Sequence, residues 1–523
     1  MNRTFIPLSV LLAACGGAAV STVTPAPSSQ IKIPGVVWPD EGVRKWAPRP
    51  TETAITANDL RTRLYQISDD SMMGRRIGEE GNFKATSYIA REFERLGLKP
   101  GGDNGTYFQQ MAYGPRGYDS TKATMIVAGA ALEKKREWMP LAPNPATGIA
   151  GAAMLQNVPT VFAGRWGDTT TVLDAAALRG RVAVFSAPVV PPAPAGGRAG
   201  GAGAGGFASV RDNRARDAGA VGVIVASMDG LLPTAGPAAF NMTAGMHPVL
   251  TTGLVAASVT SAAAAKIMGR PLADATIGMP GQPVSATWTY EMRLPQFPAR
   301  NVIAILHGSD PARAGEYVLV GAHNDHVGTN ARGEDHDSLR AYNRVMRPQG
   351  ANDPRGTPTS DQRRKIDSLI AYARSIRAPR RDSIMNGADD DGSGTVVLLE
   401  IAEQFAKERP ARSIIFVSHQ GEEAGLLGSA WFVSHPTVPI KQIVSAINMD
   451  MLGKGRVTDV QFGGPNSVQS LGSRRISPEF GDIIDSVNAI SPRPMAIDRS
   501  WDTPANKLNR FCRSDQVNYV NAD

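Results

Sequence analysis

The chain has 523 residues, 42% of them apolar, which is enough for a sizeable core spread over roughly two to four domains. Its formal net charge is +7, and residues 329–385, with twelve basic against seven acidic side chains, supply +5 of it. Because that stretch has neither zinc-finger spacing nor basic residues interleaved with aromatic ones, it indicates a solvated basic insertion rather than a nucleic-acid-binding surface.

The N-terminal 22 residues have the pattern of an export signal. Arg3 precedes an apolar run from Phe5 to Ala14 that is far shorter than the ~20 residues of a membrane-spanning helix. The run ends in Leu12-Ala13-Ala14-Cys15-Gly16, which resembles the lipobox of bacterial lipoproteins, where the Cys thiol receives a diacylglyceryl group. We therefore expect residues 1–22 to be a signal peptide and Cys15 to anchor the exported protein to a membrane, facing the periplasm or the cell surface. An ordinary cleaved signal peptide, giving a secreted protein, is the alternative.

Residues 23–52 are rich in small residues and proline and predict a flexible tether. The chain has two cysteines, Cys15 and Cys512, so lipidation of the first leaves no disulfide partner for the second. We expect Cys512 to be an ordinary buried thiol.

Apolar residues at helical spacing predict helices within 56–98, ended by Gly97 and the Lys99-Pro100-Gly101-Gly102 stretch. A short strand at 181–185, a Gly/Ala/Pro loop, a helix at 208–218 and a strand at 221–225 follow. This pattern resembles the protease-associated domain, which we expect to occupy residues 141–290.

The chain becomes strongly α/β from about residue 298. Four apolar strands are predicted, at 301–306, 317–322, 413–418 and 443–447, and they alternate with helical stretches such as 395–407. This alternation predicts a mainly parallel sheet flanked by helices.

Acidic residues and histidines follow three of these strands, at 317–322, 413–418 and 443–447, and also follow the insertion. The four motifs are His323-Asn324-Asp325-His326, Asn386 to Gly394, His419-Gln420-Gly421-Glu422-Glu423 and Asn448-Met449-Asp450. In open α/β sheets ligands bind beyond the carboxyl ends of the strands, so we expect the motifs to meet at one rim. Four acidic motifs at one rim need charge compensation, which a metal centre supplies.

The donor types indicate the metal. Imidazole with several carboxylates suits zinc, with cobalt or manganese as substitutes, and argues against a magnesium site made of oxygens alone. The chain has neither a His-Glu-x-x-His motif nor a Gly-x-Ser-x-Gly nucleophile elbow. A water bound to the metal is therefore the expected nucleophile.

In this order the four motifs resemble those of the co-catalytic dizinc aminopeptidase family, which includes bacterial leucyl aminopeptidases and aminopeptidase Y and has glutamate carboxypeptidases as relatives. The resemblance implies a zinc-exopeptidase fold of the phosphorylase/hydrolase-like type. Residues 53–140 and 291–523 would form the catalytic domain, with the basic insertion 329–385 in its second part and the protease-associated domain between the two parts.

The resemblance also implies roles for six residues. Metal ligands would be His323 and Asp450 on the first zinc, Glu423 on the second and Asp390 as the bridge between them, while Asp325 would orient His323 and Glu422 would be the general base. In the family the peptide bond after the bridging aspartate is cis. Asp389 and Asp391 are expected to be turn and helix-cap residues.

The resemblance departs from the family near the C-terminus. The family's fifth ligand is a histidine beyond a Ser-Asp-His segment, to which Ser514-Asp515-Gln516 corresponds, but all seven histidines lie at or before His435. We therefore expect the closing strand, the histidine and the terminal helix to be missing, from either a fragment or a truncated product. The second zinc would keep Asp390, Glu423 and solvent, unless His419 or His326 replaces the missing ligand.

The expected function is extracytoplasmic aminopeptidase activity on peptides, without nucleic-acid partners. Two alternatives remain: a non-catalytic peptide-binding protein, and a carboxypeptidase or a glutaminyl-cyclase-like enzyme. Residues 361–377 of the basic insertion predict an amphipathic helix that borders the cleft as a lid or packing element. Side-chain preference and oligomeric state do not follow from the sequence.

Overall fold

The computed structural model describes residues 37–38, 46–118, 121–143, 148–168, 170–186, 212–229, 242–245, 253–348, 353, 356–453, 466–506 and 509–522. Cys15, the predicted signal peptide and most of the predicted tether lie outside these ranges. Among the described residues no helix has both the length and the apolar character needed to span a membrane.

Strands and helices alternate along the chain. The strands are β1 (Lys99–Pro100), β2 (Phe108–Gln110), β3 (Gly114–Tyr118), β4 (Thr124–Val127), β5 (Ala130–Ala131), β6 (Trp138–Pro140), β7 (Ala152–Val158), β8 (Thr160–Arg165), β9 (Val182–Ser186), β10 (Gly222–Ala226), β11 (Met242–Gly245), β12 (Val255–Val259), β13 (Val284–Met292), β14 (Arg300–Leu306), β15 (Tyr317–His323), β16 (Thr329–Asp335), β17 (Arg381–Ile384), β18 (Ser413–His419), β19 (Ile443–Met449), β20 (Ser467–Gln469) and β21 (Ala496–Asp498). The α-helices are α1 (Ala57–Ile67), α2 (Glu80–Arg95), α3 (Ala175–Leu178), α4 (Arg214–Asp217), α5 (Ser261–Met268), α6 (His336–Met346), α7 (Ser360–Ile376), α8 (Gly392–Lys407), α9 (Leu427–Ser434), α10 (Ser473–Ile476), α11 (Pro478–Ile490) and α12 (Gln516–Val520).

The sheet that carries the predicted motifs has the order β1-β14-β18-β15-β19, and β2 also pairs with β14. Strands β18, β15 and β19 are parallel, with His323 level with His419 and Ala322 level with Met449. Their carboxyl ends therefore lie at one edge. Strand β14 runs antiparallel to β18, so the sheet is mixed, and its parallel pairings join the three strands that precede the motifs.

Helices cover both faces of this sheet. On one face Phe93 of α2 and Leu399 of α8 pack with Phe416 of β18, and on the other face Phe432 of α9 packs with Ile415. Burial of both faces explains why β14 and β18 are continuous apolar runs rather than alternating ones, whereas β19 leaves Val444 and Ile447 exposed. The predicted α/β class is confirmed.

Residues 114–292 contain two further sheets. One has the order β6-β12-β10-β9-β8, and the other has the order β11-β3-β13-β4-β5, with β7 paired to β13. Trp138 and Trp288 share one core, with ring centroids 5.7 Å apart. The predicted strands at 181–185 and 221–225 correspond to β9 and β10. The assignment of residues 141–290 to a protease-associated domain stays a prediction.

The basic insertion leaves the main domain at Gly328 and returns at Met385, whose N–H donates to the Gly328 carbonyl (2.9 Å). Strands β16 and β17 pair, and helices α6 and α7 pack against each other beyond them. The predicted amphipathic helix is α7, which buries Ile366 and Ala373 against α6 and against Trp38 from the N-terminal segment.

Candidate metal centre

The four predicted motifs meet at the carboxyl edge of the three parallel strands. His323 ends β15, Glu422 and Glu423 follow β18, and Asp450 follows β19. Asp390 lies in the loop before α8. Local sequence explains the placement, since each strand is an apolar run that stops where the polar motif begins.

The first donor group consists of His323, Asp390 and Asp450. His323 is fully buried, and its Nε2 atom lies 3.3 Å from Asp390 Oδ1 and 3.8 Å from Asp450 Oδ2 without making a hydrogen bond. An unpartnered buried nitrogen between two carboxylates fits a metal ligand, and one imidazole with two carboxylates is a zinc-type donor set.

Electrostatics supports the same interpretation. Burial by itself would lower the pKa of His323, but the adjacent carboxylates of Asp325, Asp390 and Asp450 raise it well above its ordinary value. The surplus of negative charge that favours an imidazolium here is the charge that a divalent cation neutralises.

A second donor group, formed by His326, Asp390 and Glu423, shares Asp390 with the first. The Nδ1 atom of His326 lies 2.7 Å from Glu423 Oε1. His419 is the other histidine that the sequence suggested as a replacement ligand. Its Nε2 atom lies 3.0 Å from the Tyr519 hydroxyl. The structure thus brings His326, and not His419, into a donor group.

Asp325 connects the first donor group to Glu422. Its Oδ1 atom accepts the backbone N–H of Glu422 (3.1 Å) and lies 3.5 Å from Nδ1 of His323. That second separation is longer than a usual hydrogen bond. The backbone carbonyl of Asp325, at 3.2 Å, lies closer to the same nitrogen. The residue therefore fixes the loop that carries Glu422 as well as lying beside the imidazole.

Glu422 lies next to the donors, with Oε2 4.0 Å from Nε2 of His323 and a side chain that is 12% exposed. Burial raises the pKa of its carboxyl to about 9, against the opposing effect of His323 and with a further increase from Asp515, Asp450 and Asp325. A carboxylate that binds its proton this readily, beside the donor groups, is suited to proton transfer.

Comparison with known proteins places this geometry in a family. Residues 301–522 match the model of peptidase family M28. The chain contains a peptidase family M28 domain.

Individual relatives match over shorter segments. A "Probable zinc metalloprotease" of Pyrenophora tritici-repentis is 30% identical over 125 residues, 24% of this chain and 27% of that protein. A "Probable leucine aminopeptidase" of Arthroderma otae is 32% identical over 102 residues, 18% of this chain and 29% of that protein. The chain thus spans less than a third of the length of these two relatives. Among solved structures, the aminopeptidase from Aneurinibacillus sp. strain AM-1 is 14% identical, with a TM-score of 0.36 over 89% of this chain and 83% of that one.

The loop before α8 is built as the resemblance implies. The Asp390–Asp391 peptide bond of the M28 domain is cis. Asp391 caps α8 by accepting the N–H of Gly394 (2.9 Å), so its predicted cap role is confirmed. Asp389 accepts the N–H of Gly453 (2.7 Å), which joins this loop to the segment after Asp450.

Arg75 is a buried cation that lies against the loops carrying the donor residues. The sequence gave no reason to select it. Its guanidinium donates to the carbonyls of Asn324 (2.9 Å), Asn386 (2.5 Å) and Gly387 (2.8 Å). Burial lowers its pKa to about 10 although Asp325, Asp391, Asp390 and Glu423 oppose that change. Nothing in the sequence of a short turn with one arginine indicates that its guanidinium is buried against these loops.

Gly74, beside Arg75, lies against the main chain of Gly328 and Met385. A Cβ there would lie 2.3 Å from the Gly328 carbonyl oxygen, and its φ of +69° is left-handed. Glycine is therefore required for this close approach.

The segment that corresponds to the family's Ser-Asp-His motif packs at the same rim. Asn448 donates to Ser514 (3.0 Å) and Gln516 (3.2 Å). Asp515 is buried and accepts from Ser429, and burial raises the pKa of its carboxyl to about 7. Cys512 is a free thiol but is half-buried rather than buried as predicted, because it ends a short surface turn.

Proposed function

We propose that this chain is an exported, zinc-dependent exopeptidase that removes residues from the amino end of peptides. The observation that carries the proposal is the position of Glu422, whose carboxylate lies 4.0 Å from His323 beside the donor group that Asp390 and Asp450 complete. A proton carrier next to a zinc-type donor set is the arrangement that peptide hydrolysis by activated water needs. The M28 domain and the printed name of the leucine aminopeptidase relative support the same reaction class.

His323, Asp390 and Asp450 would hold the metal, which when bound supplies a Lewis acid that polarises the scissile carbonyl and acidifies water. Glu422 takes the proton from the attacking water and delivers it to the departing amine. Beside a bound metal ion the ionised form of Glu422, which proton acceptance requires, would be favoured. Burial of the Glu422 carboxyl favours retention of the proton until the amine leaves. Asp325 holds the backbone of Glu422 in place for both transfers.

Location and attachment belong to the same proposal. The export signal over residues 1–22 would take the enzyme out of the cytoplasm, and the lipobox cysteine, Cys15, would hold it at a membrane, where its substrates are peptides outside the cytoplasm.

Glu422→Gln tests the proposal because glutamine has nearly the same shape but accepts no proton. We expect the variant to keep its metal and to lose roughly 10²–10⁴-fold in kcat on leucine p-nitroanilide. Asp450→Asn, by contrast, should lose metal as well as activity. Wild-type turnover by Glu422→Gln would reject the assigned base, and equal cleavage of the N-acetylated substrate would reject the amino-end specificity.

A further inference from the structure

An arginine lies inside the two-sheet unit that residues 114–292 form. Arg116 belongs to β3, which pairs with β13 on one side and with β11 on the other, and the residue is 5% exposed. Its Nη1 atom donates to the Pro143 carbonyl (3.3 Å), whereas its Nε atom has no hydrogen-bond partner among the described residues. Burial lowers the pKa of the guanidinium, and no charge in the described part of the chain opposes that effect. A buried cation without a counter-ion is costly, because its lost hydration is not replaced.

A second unpartnered group lies on the same face of β3. Arg116 and Tyr118 are two residues apart and burial alternates along the strand, so both side chains face the space between the two sheets. The Tyr118 ring packs beside Tyr290, with 5.3 Å between centroids, and shares a core with Trp138 of the other sheet. The Tyr290 hydroxyl donates to the Pro140 carbonyl (3.3 Å), but the buried Tyr118 hydroxyl has no partner among the residues that the structure describes.

The chemistry of these groups favours an anionic ligand. The indole of Trp288, two residues before Tyr290 on β13, also has a buried N–H without a partner in the described ranges. Guanidinium, phenol and indole groups all donate hydrogen bonds, and a carboxylate offers acceptor oxygens together with the negative charge that Arg116 lacks. Water would accept the hydrogen bonds but leave the charge uncompensated, and a phosphate dianion carries more charge than one guanidinium balances.

We propose that Arg116 and Tyr118 form a binding site for a small monocarboxylate, in a different sheet from the residues of the metal centre. The carboxylate accepts from the guanidinium and the hydroxyl, and the carbon atoms of the ligand lie against the aromatic rings. Because Arg116 and Tyr118 are 5% and 7% exposed, the part of the ligand that enters is compact. A free organic acid and the carboxyl end of a short peptide both present this chemistry. The site does not depend on the exopeptidase activity proposed above.

Equilibrium dialysis of the full-length chain at constant ionic strength tests the proposal. We expect the wild type to bind one N-acetylglycine per chain and to ignore N-acetylglycinamide, which lacks the carboxylate. Arg116→Met and Tyr118→Phe should each weaken binding by roughly 10–100-fold, the usual effect of losing a hydrogen bond to a charged group. Arg136→Met is the control, because that arginine lies in the same unit and its side chain is 78% exposed. N-acetyltriglycine tests the peptide source, since binding as tight as that of N-acetylglycine means that the site accepts peptide ends.

Thermal unfolding separates this role of Arg116 from a structural one. Without ligand, Arg116→Met should unfold at or above the wild-type temperature, because it removes an uncompensated buried charge. N-acetylglycine should raise the unfolding temperature of the wild type and of Arg136→Met, but not that of Arg116→Met. A wild type that binds no N-acetylglycine, equal binding of the amide, or unchanged binding in either site variant overturns the proposal. Early unfolding of Arg116→Met with no ligand effect on the wild type would make the arginine a structural residue. Cleavage of leucine p-nitroanilide tests the proposed function independently of all these results.

Discussion

The carboxylate of Asp391 accepts a hydrogen bond from the backbone N–H of His323, with 3.1 Å between the nitrogen and Oδ2. Its other oxygen accepts the N–H groups of Gly394 (2.9 Å) and Met451 (3.1 Å). Asp391 is fully buried, so water does not replace these bonds. One carboxylate therefore fixes the main chains of three ligand-bearing segments relative to one another.

We predict that Asp391→Ala weakens metal binding at the first donor group by roughly 10–100-fold, as the loss of groups that orient ligands usually does. Leaving buried N–H groups without an acceptor should also lower the free energy of unfolding by about 1–3 kcal/mol for each group. Calorimetric metal titration and thermal unfolding measure the two effects. Asp482→Ala is the control, since Asp482 is 67% exposed. A folded Asp391→Ala protein with wild-type metal affinity would contradict the positioning role.

The guanidinium of Arg75 also binds the main chain of loops that carry the donor residues. It donates to carbonyls in the segment of Asn324 and in the loop at Asn386 and Gly387, which lead to the donors of both groups. A lysine keeps the charge but has a single nitrogen and no planar fork, so it cannot reach carbonyls on two separate loops in this geometry.

We predict that Arg75→Lys lowers the free energy of unfolding by about 1–3 kcal/mol for each carbonyl left without a donor and reduces metal affinity in parallel. Differential scanning calorimetry with and without Zn²⁺ measures the stability loss and the metal-dependent stabilisation separately. The neighbouring Arg76→Lys, at a side chain that is 60% exposed, should change neither quantity. If Arg75→Lys loses stability but keeps the full stabilisation by Zn²⁺, Arg75 supports the fold without positioning the ligands.

The sequence predicted the strands that carry the site to within two residues, at 317–322, 413–418 and 443–447. Each is a largely apolar run that stops at a polar motif, so local composition determines where it ends. The antiparallel direction of β14 could not be predicted from local composition. An apolar run of six residues has the same pattern in a parallel and in an antiparallel strand pair. The mixed character of the sheet depends on the path of the chain between strands.

The position of Arg75 did not follow from the sequence, and neither did the choice of His326 rather than His419 for the second donor group. Arg75 bonds to a carbonyl 311 residues away, and nothing in its turn indicates that partner. His326 stands in a motif that the sequence did select, but its ring enters the second donor group because Gly387 leaves room beside it. Both facts arise from packing between distant segments, which single-residue patterns do not record.

Asp337 joins the basic insertion to the N-terminal segment. It is buried, accepts from Trp38 Nε1 (2.9 Å) and pairs with Arg377 and Arg380. Burial alone would raise the pKa of this carboxyl, but hydrogen bonds from Arg377, Trp38 and Arg380 hold it far below its ordinary value of 3.8. A carboxyl with a depressed folded-state pKa stabilises the fold above its unfolded pKa, and that stabilisation is lost as the pH falls below it.

We therefore predict that helices α6 and α7 open more readily as the pH falls from about 6 to about 3, after correction for intrinsic exchange rates. Asp337→Asn should increase their opening already at about pH 6, by about 1–3 kcal/mol, and should remove much of the pH dependence. Hydrogen exchange of peptides from residues 336–376 measures both effects. Asp367→Asn is the comparison, because Asp367 is an exposed carboxylate on α7, within the same insertion. If the pH dependence survives in Asp337→Asn, other carboxylates, with Asp335 and its partner Arg374 foremost, control the insertion instead.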